Sequence, residues 1–178
     1  FARVVAANTI LHTADPGFEG RLAWANHGLG ASEVCLAEGL LDWITFSQRS
    51  PVMEASWAVS GSTALAVSPH VLAAYDAPFP EERAKAGMRQ FPILIPITRN
   101  DAGAAINRAT WESLSVFRKP FLTLFGDSDP ATEGWQTIFQ ERVPGAAAQP
   151  HAILPAAGHF LQEDAGEEMA RRIVAWMD

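Results

Sequence analysis

Pro155-Ala156-Ala157-Gly158-His159-Phe160-Leu161-Gln162-Glu163 reads as the end of a buried strand, a small-residue loop carrying one histidine, and the start of a helix. Upstream, Phe121-Leu122-Thr123-Leu124-Phe125-Gly126-Asp127-Ser128-Asp129-Pro130 has the same design, an apolar strand ending in a Gly-x-x-Asp turn. Two successive strands thus deliver an acid and then a histidine from their C-terminal ends. Open α/β sheets place their chemistry there.

Around this pair the chain divides into three regions. Residues 1–13 form a core strand, apolar without interruption over about 2–8, as in a parallel sheet. Residues 14–98 lack a convincing strand and read as a helical insertion. Ala31 to Gln48 carries Val34, Leu36, Leu40, Leu41 and Ile44 at near-helical spacing behind a candidate N-cap, Ser32. Pro51, Pro69, Pro78, Pro80, Pro92 and Pro96 then cut the segment into short pieces. Residues 99–178 return to alternation, with helices expected near 101–117 and 134–143 and strands near 120–125 and 151–154. A last helix is expected from Asp164, whose spacing to Glu167 suits a capping box. The fold class is α/β, a parallel sheet with right-handed crossovers and one side left open.

Composition narrows the function. Charged residues make up 19% of the 178 and hydrophobic ones 48%, which suits one folded domain. A net charge of −7 without any basic run disfavours nucleic acid and anionic membranes. No apolar stretch reaches the roughly 18 residues of a membrane span. The single Cys35 leans towards a reducing, cytoplasmic setting and reads as a small apolar helix residue. A strand begins almost at Phe1, so the true N-terminus is expected to lie elsewhere.

An imidazole can take a proton from water if a carboxylate fixes its tautomer and steadies the cation. His159 fits that role by its strand-end position, small neighbours and upstream acid. Asp129 and Asp127 compete as the orienting acid. Asp129 is favoured because it ends the turn, whereas Asp127 could cap the turn's own backbone. Asn8 closes the first strand and cannot carry a charge. No Gly-x-Ser-x-Gly nucleophile elbow is present, and Ser60-Gly61-Ser62 follows no buried strand. His12, His27, His70 and His151 show no paired ligand spacing, so a zinc site is not expected.

With these residues in view, the chain resembles the haloalkane dehalogenases, a family of α/β-hydrolases. The resemblance runs through Arg3-Val4-Val5-Ala6-Ala7-Asn8-Thr9, Trp43-Ile44-Thr45-Phe46-Ser47-Gln48 and Ala73-Ala74-Tyr75-Asp76-Ala77-Pro78-Phe79-Pro80. It continues in Ala86-Gly87-Met88-Arg89-Gln90-Phe91-Pro92, Gly126-Asp127-Ser128-Asp129-Pro130 and Ala157-Gly158-His159-Phe160-Leu161-Gln162-Glu163. It implies the C-terminal part of an α/β-hydrolase core (1–13 and 99–178) with a helical cap (14–98). In this family an aspartate displaces the halide to form an alkyl ester, and a histidine-activated water hydrolyses the ester. By resemblance His159 is the base, Asp129 the acid and Trp43 the cap donor to the halide. Phe91 and Pro92 would line the halide pocket, and Phe46 would shape the channel or pack in the core. Catalysis would use haloalkane, halide and water, with no metal or organic cofactor.

Two departures stand out. Ala14 to Leu41 is longer than the resemblance leads one to expect, which leaves Trp24 as a rival to Trp43. The half bearing the nucleophile is absent and is expected in cis or in trans. An epoxide hydrolase shares the aspartate, histidine and acid but would use two cap tyrosines, and this chain has only Tyr75. A serine esterase is less favoured still. From a different class, the chain could be a non-catalytic fragment that binds small apolar ligands. Either fragment reading leaves the first strand with an open edge and an expected tendency to aggregate.

Overall fold

Every second residue of the central strand faces the same side, and both sides are buried. That strand, β2 (Phe121–Gly126), has Phe121, Leu122, Thr123, Leu124 and Phe125 all buried. It pairs in parallel with β1 (Val4–Ala7) on one edge and β3 (Ala152–Leu154) on the other. The register sets Val4 opposite Phe121 and Leu124 opposite Ala152. The computed structural model describes residues 1–15 and 38–177.

The described residues form two compact units. The first contains residues 1–11, 62–65 and 108–178 and holds the sheet. On one sheet face, Leu122, Leu124 and Leu154 pack with Ala157 and Leu161, joined by Met169, Ile173 and Trp176 of helix α7 (Leu161–Met177). On the other face lies an aromatic cluster. Phe121 meets Phe139 of α6 (Trp135–Arg142), which stacks on Trp111 of α5 (Ala102–Leu114) at 5.4 Å between ring centres. Alternation along one strand therefore sorts leucines to α7 and aromatics to α5 and α6, as the pleat requires.

Helix α7 begins at Leu161, three residues before the expected start, and breaks helical geometry at Ala165 (φ −140°, ψ 27°). Asp164 does not form the expected capping box. Its carboxylate instead accepts the backbone N–H groups of Gly158, Ala64 and Leu65 at 2.7–2.9 Å. Three converging donors outcompete one local cap.

The second unit, residues 12–61 and 66–107, contains α1 (Glu38–Arg49), α2 (Ala55–Ser62), α3 (Pro69–Asp76) and α4 (Ala86–Gln90), with short 3-10 turns at Glu82–Lys85 and Pro92–Leu94. Its proline placement follows local physics: Ser68 caps α3 by accepting from Val71 N–H, and Pro69 occupies the first turn, where no N–H is needed. Asp76, inside the Tyr-Asp-Ala-Pro run, accepts the N–H of Ser56 at 2.9 Å and so caps the start of α2. Burial opposes ionisation of Asp76, but the Ser56 and Ala55 hydrogen bonds and Lys85 hold its carboxyl below the usual range. Helix α1 starts at Glu38; the expected turns from Ala31 and the Ser32 cap lie outside the described residues.

Candidate active site

The turn after β2 and the loop after β3 approach so closely that the turn tolerates no side chain at Gly126. A Cβ on Gly126 would lie 2.1 Å from the carbonyl oxygen of Ala157. Ser128 N–H donates to that same carbonyl at 3.0 Å, and Asp127 N–H donates to Leu154 O at 3.0 Å. Glycine at 126 is thus required by contact, and it brings the acid turn against the histidine loop.

At that crossing His159 Nδ1 lies 3.0 Å from Asp129 Oδ2. The Asp129 side chain is 1% exposed and the His159 side chain 41%. A buried acid therefore stands behind an accessible imidazole. Burial would raise the Asp129 pKa. Hydrogen bonds from His159 and Thr132, attraction to His159 and the Ala131 N–H at 3.0 Å together more than offset it, so the carboxyl lies below the ordinary range. An ionised carboxylate only accepts, so Nδ1 carries the proton and Nε2 is left to act as a base. Asp127 does not reach the histidine. It is exposed, accepts from Ser128 Oγ at 2.8 Å, and is held below the usual range by that hydroxyl and by the backbone N–H groups of 156 and 157.

Asn8, which the sequence marked only as uncharged, occupies the heart of this arrangement. Its Oδ1 accepts Gly126 N–H at 2.8 Å, and its Nδ2 donates to Gly158 O at 2.7 Å and His159 O at 3.1 Å. His159 N–H donates to Ser62 O at 2.7 Å. With Asp164 on Gly158 N–H, every backbone polar group of the Gly158-His159 pair is bound. No motif announces such bonds, because their partners are far apart in the chain.

His151 illustrates the contrasting structural role. Thr123 N–H donates to its Nδ1 at 3.0 Å, and its Nε2 lies 2.8 Å from Ala146 O. The imidazole takes the place of the next ladder acceptor beside β3.

The other candidates lie in the second unit. Trp43 and Phe46 stack on α1, with ring centres 5.8 Å apart. Helix α1 packs against α4 and the turn at Pro92–Leu94. Phe91 is 73% exposed there and Pro92 is buried. The structure therefore gathers Trp43, Phe46, Phe91 and Pro92 onto neighbouring elements. Trp24 lies outside the described residues. Arg89, unmarked in the sequence, ties these elements: its guanidinium donates to Ser47 O and Ser50 O at 2.9 Å and to Glu82 at 2.6 Å. Lys85 and Arg89 hold Glu82 at about 2, well below the usual carboxylate value.

The chain is 42% identical over 177 residues to haloalkane dehalogenase of Psychrobacter cryohalolentis, covering 99% of this chain and 52% of that protein. It is also 42% identical over 175 residues to haloalkane dehalogenase of Mycobacterium marinum, at 98% and 52% coverage. The chain thus spans about half the length of these curated relatives. No family model matches. Among solved structures, tetrameric haloalkane dehalogenase DpaA of Paraglaciecola agarilytica superposes with a TM-score of 0.77 at 22% identity, covering 98% of this chain and 52% of that one. An alpha/beta hydrolase fold protein from Burkholderia ambifaria gives 0.56 at 18% identity, at 78% and 50% coverage. These two likenesses show the fold, which is that of the α/β-hydrolases.

Proposed function

We propose that this chain, a homologue of the haloalkane dehalogenases along 99% of its length, supplies the acid, base and halide-binding cap of such an enzyme. The observation that carries the reading is the 3.0 Å contact between buried Asp129 and accessible His159 at the ends of β2 and β3. The reaction is hydrolysis of a carbon–halogen bond to alcohol and halide.

A carboxylate outside this chain, in the part of the relatives' length that it does not span, attacks the halogen-bearing carbon. The carbon–oxygen bond forms as the carbon–halogen bond breaks, and the halide carries the bonding pair away. His159 Nε2 then takes a proton from water, and the resulting hydroxide equivalent attacks the ester's carboxyl carbon. Asp129 keeps the proton on Nδ1 and stabilises the imidazolium. Collapse of the tetrahedral adduct returns the proton to the departing alkoxide. Trp43 donates its indole N–H to the halide, while Phe91, Pro92 and Phe46 offer an apolar lining. A large, weakly hydrated anion suits one donor in an apolar wall better than a charged site.

The test is bromide release from a bromoalkane by the polypeptide that contains this chain and the attacking carboxylate. Bromide and alcohol in equal amounts are the expected result. Release of neither, across short and long primary bromoalkanes, would overturn the reading.

A further inference from the structure

We propose that Asn8 is a positioning residue for the Asp129–His159 pair, its side-chain amide setting the spacing between the acid turn and the base loop. The inference rests on the reading of that pair as acid and base. Asn8 is 9% exposed and directly follows β1 with φ at 35°. Asparagine tolerates that left-handed backbone better than most residues, and conformation alone would account for its presence. Conformation does not account for where its side chain goes. The single acceptor takes the N–H of Gly126, at the head of the acid turn, and the donors take the carbonyls of Gly158 and His159.

The partners also fix the amide's orientation. Flipping it would set oxygen against two carbonyls and NH2 against an N–H. Aspartate of the same length keeps the acceptor but has no donor for the carbonyls. Serine is too short, and alanine offers nothing. Asn8 thus crosslinks the C-terminal ends of three strands, and two of those ends carry the reacting pair. The loop it grips also passes through Ala156 at φ 53°, a left-handed conformation costly for alanine, so the grip holds a segment that would otherwise relax. A drift of the imidazole by about 1 Å is enough to cost on the order of 100-fold in rate.

The experiment uses Asn8→Gly, which accepts the positive φ but lacks the amide, and Asn8→Asp, which lacks only the donors. Three readouts are taken: cooperative unfolding, the ring 15N–1H correlations of His159, and kcat and KM for halide release by the halide-releasing polypeptide. Both variants are expected to unfold cooperatively while the Nδ1–H pattern of His159 gives way to averaged tautomers. In the same variants kcat is expected to fall about tenfold or more with KM changed less than about threefold, because the base acts after substrate is bound. A folded variant that keeps the unsubstituted His159 pattern and kcat overturns the proposal.

In the unsubstituted protein, both Asn8 side-chain amide protons should exchange with solvent at least about tenfold more slowly than a free amide's. Ordinary exchange sinks the proposal even if neither variant folds. Absence of halide release from the unsubstituted polypeptide would count against the proposed function alone, since the ring and amide readouts need no turnover.

Discussion

At His159 one hydrogen bond decides which ring nitrogen is available. Asp129 accepts from Nδ1, which leaves Nε2 as the nitrogen without the proton. Under the proposed function, replacing His159 by alanine should leave the first displacement intact and block ester hydrolysis. Such a variant is expected to release one halide per molecule and to gain the mass of the alkyl group, read by intact mass spectrometry; continued turnover would contradict the role. For Asp129→Asn, kcat should fall by on the order of 10⁴, because the amide can favour the wrong tautomer. The same substitution has a stability signature. The Asp129 carboxyl titrates below its ordinary value in the folded state. It therefore adds stability that is complete above the unfolded value of about 3.9 and is lost as pH falls through the folded value. Urea midpoints of the two proteins, compared from neutral pH downwards, should converge below about pH 4. A gap that widens on acidification would contradict the sign. The sequence favoured Asp129 over Asp127 because Asp129 ends the turn, and the hydrogen-bond geometry agrees: Asp129 meets His159 at 3.0 Å. Only the fold shows Asp127 bonded to its neighbours and Asp129 turned inward.

At the scale of elements, the informative contacts join segments that no local pattern links. Arg89 satisfies two backbone carbonyls at the end of α1 and pairs with Glu82. Arg89→Met keeps much of the stem but removes those charge-assisted bonds. It should destabilise the protein by about 2 kcal/mol in denaturant unfolding, and under the proposed function it should raise KM more than it lowers kcat. An unchanged midpoint would mean the guanidinium is replaceable by water. In the sheet, His151→Leu leaves the N–H of buried Thr123 without its acceptor. The expected cost is about 1–3 kcal/mol, with no shift in the ring signals of His159; a large effect there would show that the two histidines are coupled. Strands β2 and β3 and the helices α5 and α6 were legible because alternation and 3.6-residue periodicity are local properties. The kink at Ala165 falls beside the helix start expected at Asp164, but no capping box forms, because Asp164 answers donors at residues 64, 65 and 158.

For the molecule as a whole, the open sheet edge is the main liability. Among the described residues β1 pairs only with β2, so its other edge presents unpaired backbone groups. The 178-residue chain by itself is expected to associate at micromolar concentration, giving sedimentation above a 19.2 kDa monomer. A monomer with one sharp, reversible unfolding transition would show the edge to be adequately blunted. No helix among the described residues is long and apolar enough to cross a membrane.

The sequence by itself determined the kinds of element, their order, and the delivery of an acid and a histidine to strand ends. Those properties are written in short-range spacing: apolar runs, Gly-x-x-Asp and small-residue loops. Tertiary structure alone decided what Asn8 and Asp164 hold and why Gly126 must lack a side chain. Those contacts join groups up to 151 residues apart. Hydrogen bonds over such separations are set by how strands pair, and a local pattern carries no record of that pairing.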